Sequence, residues 1–145
     1  MTQDAKTMTP DEMKRCVFGY FDAVARGDRF RLLELFAPDL RWRVPKGTIE
    51  PYAGLHEGAA EIIDMMLGAV TDAFVPGSQK TEILNLVFGD DLAVAETEMR
   101  AVSPSGEQYR NDYAFFFEFE EGRISEIREH VDTRYAANFF DGANR

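Results

Sequence analysis

Tyr109 to Asp132 reads YRNDYAFFFEFEEGRISEIREHVD, two strand-length runs that meet at Glu120-Glu121-Gly122. Glycine takes positive φ at little cost, so the stretch predicts two long antiparallel strands joined by a tight turn. A period of two places Asn111, Tyr113, Phe115 and Phe117 on one face of the first strand, and Arg110, Asp112, Ala114, Phe116 and Glu118 on the other. Both faces are partly apolar, which puts the strand mid-sheet with something packed over each side. One apolar face also carries an amide and a phenol, groups that need partners when buried; a sheet-lined ligand cavity is expected to combine them this way. The second strand ends in His130-Val131-Asp132. If it stays regular, His130 and Asp132 share a face, and that face is expected to floor the pocket.

Upstream, Thr9-Pro10-Asp11-Glu12 carries the marks of a helix start, with Thr9 as N-cap, Pro10 at the first helical position and Glu12 reaching back as a capping box. Met13, Val17, Tyr20, Phe21 and Val24 then recur at three and four, predicting an amphipathic helix to about Arg26 that Gly27 ends. Asp28 caps a shorter helix, stopped by Ala37-Pro38. Leu40 to Val44 alternates as a strand, Lys46 to His56 reads as a loop of the kind that covers a pocket mouth, and Gly58 to about Phe74 is a third helix. Strands follow over Lys80 to Phe88 and Leu92 to Val102, then the hairpin, then a short helix over Thr133 to Phe140 with a frayed DGANR tail. The order ααβαββββ predicts one α+β domain over residues 1–145, helices packed on one face of a curved, mostly antiparallel sheet.

The 145 residues are 45% hydrophobic, enough for a sizeable core in a single domain. A formal charge of −10 disfavours nucleic acid and anionic membranes, so neither is an expected partner. The single cysteine, Cys16, lies in an apolar helical stripe and reads as a structural thiol. The N-terminus has no apolar targeting region and no run approaches the roughly 18 residues that span a bilayer, so a cytoplasmic location is expected. No spacing of His, Cys, Asp and Glu matches a zinc site and no glycine-rich phosphate loop occurs; neither metal nor other cofactor is expected. Twelve phenylalanines exceed ordinary core usage, and a cavity or a dimer interface would absorb them.

The order of elements, with Gly27-Asp28 between the first helices, Pro45-Lys46-Gly47 after the first strand and EEGRISEIREHVD at the end, resembles the nuclear transport factor 2-like superfamily. Within it the chain is most similar to the SnoaL-like polyketide cyclase and ketosteroid isomerase-like branch. The resemblance implies a cone-shaped fold that hosts isomerases, cyclases, dehydratases, epoxide hydrolases and proteins without catalysis. Tyr20 falls where ketosteroid isomerases keep an oxyanion tyrosine, but Val44 and Phe115 stand at their base and protonated-acid positions, so that mechanism is not expected. By resemblance to the epoxide hydrolases, Asp132 and Glu98 occupy the two acid positions. Glu96 stands where their arginine would be, and Arg100 or Arg128 is left to supply the charge.

The expected catalytic residues are therefore Asp132, His130 and Glu98, with Tyr20, Trp42, Asn111, Tyr113 and Phe115 binding a hydrophobic, cyclic or polyketide-like molecule. Each has a plainer alternative. Asp132 is equally suited to cap the last helix, His130 to a structural hydrogen bond, and Glu96, Glu98 and Arg100 to a charge ladder in solvent. The competing function is a non-catalytic ligand-binding or dimerisation protein on the same scaffold. The outward face with Ala114 and Phe116 predicts a homodimer through the sheet.

Overall fold

Local signals set the helices. The Thr9 hydroxyl accepts from the Glu12 amide while the Glu12 carboxylate accepts from the Thr9 amide, completing the capping box, and Gly27 closes the helix in the left-handed region at φ 67°. The computed structural model describes residues 7–143. Its elements are α1 (Pro10–Arg26), α2 (Arg29–Leu35), β1 (Phe36–Val44), β2 (Gly54–Glu57), α3 (Ala59–Ala73), β3 (Lys80–Gly89), β4 (Leu92–Val102), β5 (Gln108–Glu120), β6 (Arg123–Val131) and α4 (Thr133–Ala143). This is the expected α+β order with two differences. The Lys46–His56 loop contains the start of β2, whose residues pair with β1 from Arg41 to Val44, and the tail expected to fray is helical through Ala143; residues 144–145 lie outside the described residues.

Among the described residues the strands form one six-stranded sheet in the order β2-β1-β6-β5-β4-β3, antiparallel except where β1 runs parallel to β6. The last strand thus sits at the centre, joining the N-terminal strands to the meander. α1 and α3 cover one face: Met13, Val17, Tyr20, Ile62, Ile63 and Met66 pack with Trp42, Phe117 and Ile127 in one buried cluster. The other face carries most of the charge.

The hairpin turns on two residues, Glu121 at φ 49° and Gly122 at φ 79°, between the paired Glu120 and Arg123. Two consecutive positive φ values match the right-handed strand twist, which is why glycine is needed at the second. β5 alternates as its sequence predicts, with Tyr109, Asn111, Phe115, Phe117 and Phe119 buried under the helices and Arg110, Asp112, Glu118 and Glu120 exposed.

β6 is not regular. Phe119 pairs with Ile124, but Glu118 pairs with Glu126, leaving Ser125 as an extra residue whose hydroxyl donates to the Glu118 carbonyl at 3.1 Å. Such a bulge exchanges the two faces for everything after it. Ile124 and Ile127, three apart, both become fully buried, and from there Glu129 faces the helices while His130 pairs with Ala114 on the outer face. The expectation that His130 and Asp132 floor the pocket assumed a regular strand and is corrected by this one residue. His130 is exposed, its ring edge-on to Phe116 at 5.8 Å. Asp132 lies past the strand, where its Oδ1 accepts from the Tyr135 amide at 3.0 Å and caps α4.

Because this is a capping bond, Asp132→Asn should leave the melting temperature nearly unchanged while Asp132→Ala costs about 1 kcal/mol of stability. Thermal unfolding of both variants checks it, and a large loss in Asp132→Asn would contradict the capping role.

Candidate functional site

Helical spacing aims side chains at the sheet from both covering helices: Tyr20 and Val24 from α1, Met66 and Val70 from α3, each pair four residues apart. Between them and the sheet lies a cavity of about 150 Å³. Its walls include Phe21, Trp42 and Phe115, and its polar lining comes from Gln79, Thr81, Thr97, Tyr113 and Glu129.

Glu129 is the one acid in that lining. Trp42 Nε1 donates to its Oε1 at 3.3 Å, Phe115 is its cross-strand partner on β5, and Tyr20 lines the same cavity. Burial pushes the carboxyl up from 4.5 to about 7, the tryptophan bond opposing that rise only in part. An acid so placed gives and takes a proton near neutral pH. The phenols beside it are held neutral. Burial raises Tyr20 and Tyr113 well above the usual tyrosine value, and the charge of Glu129 adds to both shifts.

Tyr113 is also supported from behind. Asn111 Nδ2 donates to Tyr109 Oη at 2.9 Å and to the Asp132 carbonyl at 3.1 Å, while its Oδ1 accepts from the Asp112 amide. Tyr109 and Tyr113 hydroxyls are 2.7 Å apart, and either can donate. Tyr109 is 1% exposed and already accepts from Asn111; when it donates to Tyr113 Oη, the Tyr113 proton is left for an oxygen in the cavity. Among the described residues Tyr20 Oη has one hydrogen-bond partner, the weak acceptor Met66 Sδ at 3.9 Å, and is similarly available.

Of the residues expected from sequence, Tyr20, Trp42, Tyr113 and Phe115 line this cavity and Asn111 lies behind Tyr113. Glu98 does not reach it. On the outer face its two carboxylate oxygens accept from Arg110 Nε and Arg100 Nε, both at 2.8 Å, and Arg110 first, then Arg100, hold the carboxyl below its usual range. Glu96 takes a bond from Asn85, and Arg128 is paired with Glu118 and Glu126. The set that the epoxide hydrolase resemblance would need is thus divided between a helix cap and the outer face. The loop histidine, His56, sits on β2 with its Nε2 at 2.7 Å from the Tyr52 carbonyl and its ring 5.4 Å from Trp42.

Sequence reasoning missed Glu129, Thr97 and Gln79. The signal for Glu129 was present in Ile124 and Ile127: two isoleucines three apart in one strand cannot share a buried face without a bulge between them. Among the described residues no group of three or more His, Cys, Asp or Glu is placed to hold a metal, and no helix is long and apolar enough to cross a membrane.

A search of the curated proteins finds no significant match. Solved structures share the fold. A protein called Bal32a, from a soil-derived mobile gene cassette, is 26% identical over 89% of this chain and 96% of its own, with a TM-score of 0.75. A protein of Jannaschia sp. CCS1 described as a SnoaL-like polyketide cyclase is 19% identical over 94% and 96%, with a TM-score of 0.74. TerC, co-crystallised with polyporic acid, is 16% identical over 90% and 98%, with a TM-score of 0.78. The profile of the SnoaL-like domain family matches residues 17–127, well over half of the sequence, and this chain belongs to that family.

Proposed function

We propose that this chain is an acid–base enzyme acting on a hydrophobic, cyclic, oxygen-bearing small molecule, with Glu129 moving the proton and Tyr113 and Tyr20 holding the substrate oxygen. The observation that carries it is Glu129 itself: a carboxyl in an aromatic cavity, pushed up to about 7 by burial and hydrogen-bonded, among the described residues, through Trp42 alone. Ionised, it takes a proton from a carbon beside a carbonyl. The electron pair moves onto the carbonyl oxygen, where the two neutral phenols donate to it, and the Glu129 proton is then returned to carbon or to an oxygen of the product. Isomerisation and ring closure both follow that course. The neighbours described as a polyketide cyclase and co-crystallised with polyporic acid support an occupant of this kind.

The test is proton exchange on 2-tetralone, a bicyclic ketone with acidic C–H groups beside its carbonyl, followed by NMR in D2O. The chain should accelerate exchange over buffer, and Glu129→Gln, which keeps shape and removes the charge, should lower that rate by a factor on the order of 10² to 10⁴. An unchanged rate in Glu129→Gln would leave a binding protein as the better account.

A base works when ionised, so the exchange rate should rise with pH through a midpoint near 7, the direction set by the raised Glu129 value. Trp42, the one tryptophan, reports the same event, because a protonated carboxyl at its indole changes its fluorescence. The His56 ring lies 5.4 Å from the same indole, so a variant at that position serves as the control. The fluorescence midpoint should survive His56→Asn and disappear in Glu129→Gln; a midpoint that persists in Glu129→Gln would remove its assignment to Glu129.

We further propose a homodimer through the outer sheet face. Exposed Val87 and Leu84, with half-buried Val94, Ala114 and Phe116, make an apolar patch flanked by the Glu98–Arg100–Arg110 and Glu118–Glu126–Arg128 clusters. A two-fold axis would set acids of one copy against arginines of the other. Sedimentation at micromolar concentration should give twice 16.5 kDa, and a monomer would overturn the proposal.

A further inference from the structure

Three buried side-chain oxygens have no hydrogen-bond partner among the described residues: Thr48 Oγ1, Gln79 Oε1 and Thr97 Oγ1. The last two belong to residues that line the cavity. Leaving a buried polar atom unpaired is costly, and folded proteins keep few of them, so two in one cavity call for an explanation other than packing. Packing would be served better by valine at position 97. Thr97 is fully buried in the middle of β4, and the residues before and after it on the same face, Ala93, Ala95, Met99 and Ala101, are all apolar.

Strand register places these oxygens relative to Glu129. Glu129 pairs with Phe115 and Phe115 with Ala95, so the acid is level with Ala95; Thr97, paired with Tyr113, is the next residue on that face. Gln79 precedes the Lys80–Arg100 pair and so lies alongside Ala101. From the level of Ala95 to that of Ala101 is roughly 20 Å along an extended strand. Along that direction the lining of the cavity of about 150 Å³ carries the acid towards one end, a hydroxyl next, and an amide oxygen towards the other.

We infer that Thr97 and Gln79 are specificity residues that read hydroxyl groups on an elongated, otherwise apolar substrate, at points away from the reacting carbonyl. This deepens the acid–base proposal and rests on its placement of the carbonyl at Glu129. The Gln79 oxygen only accepts, so it needs an O–H or N–H; the Thr97 hydroxyl both gives and takes. A hydroxyl or phenol satisfies either one. A ketone oxygen satisfies Thr97 alone, a hydrocarbon satisfies neither, and a carboxylate is repelled by Gln79 Oε1 and by ionised Glu129.

Calorimetric titration with biphenyl, 4-hydroxybiphenyl and 4,4′-dihydroxybiphenyl tests this directly. The wild-type chain should bind the dihydroxy compound at least about tenfold more tightly than biphenyl, the usual order of preference when a site's unpaired polar groups find partners. Thr97→Val and Gln79→Met, which keep volume, should each reduce that preference without weakening biphenyl, and Thr97→Ser should retain it, which separates lost recognition from lost folding. Equal preference in wild type and both variants, or no measurable binding of any of the three compounds, overturns the inference. The two proposals fail separately. If Glu129→Gln abolishes tetralone exchange while Thr97→Val and Gln79→Met keep the hydroxyl preference, recognition at these residues is wrong and the acid–base function stands. If the preference is lost in the variants while Glu129→Gln exchanges tetralone at the wild-type rate, the subsite stands and the acid–base function fails.

Discussion

One extra residue, Ser125, decides which chemistry the cavity contains. With the hairpin fixed by its two-residue turn, an unbroken ladder would have carried the Phe119–Ile124 pairing on to set His130 opposite Tyr113, under the helices, and Glu129 on the outer face. The bulge reverses this and is itself stabilised, since the Ser125 hydroxyl bonds the Glu118 carbonyl and both Ile124 and Ile127 go into the core. Burying two isoleucines instead of one contributes about 1.5 to 3 kcal/mol. That gain favours the register that also brings a carboxyl into the cavity. The energetics of the core and the identity of the site are settled by the same residue.

A carboxyl in an aromatic pocket is a destabilising element, and the surrounding residues leave it so. Four arginines of the sheet are committed to acids elsewhere on it: Arg100 and Arg110 to Glu98, Arg128 to Glu118 and Glu126, Arg41 to Glu126. Among the described residues the Glu129 carboxyl is hydrogen-bonded by the neutral indole of Trp42 alone, a donor that orients it without supplying charge. The ion pairs named above lie on the outer face, away from the Glu129 carboxyl, whose pKa burial raises.

Much of this was legible in the sequence because it rested on short-range rules. The Thr9–Glu12 capping box, the glycine stop at Gly27, the Asp28 cap and the positive-φ turn at Gly122 involve neighbours within four residues, and so does the alternation that put Tyr113 and Phe115 on the inner face. The SnoaL-like resemblance read from the same features agrees with the family profile. What failed was parity. A face assignment propagated along ten residues is reversed by one insertion, so His130 and Asp132 were expected where Glu129 is found, and Glu98 belonged to a strand whose facing the sequence left open. The N-terminal strand β2 escaped notice because four residues flanked by glycine carry too little pattern to separate from a loop.

The central position of β6 bears on how the molecule is made. Until that strand arrives, β1 and β2 have no hydrogen-bonded link to β3, β4 and β5. Trp42 and Glu129 are separated by 87 positions, so the contact that orients the acid closes one of the longest loops in the chain. A nascent chain emerging from the ribosome therefore holds two partial sheets with open edges between the completion of β4 and the arrival of β6, and acquires its cavity and its acid in a single late step. Slow, all-or-none folding with a window of aggregation risk is the kinetic counterpart of placing the last strand in the middle.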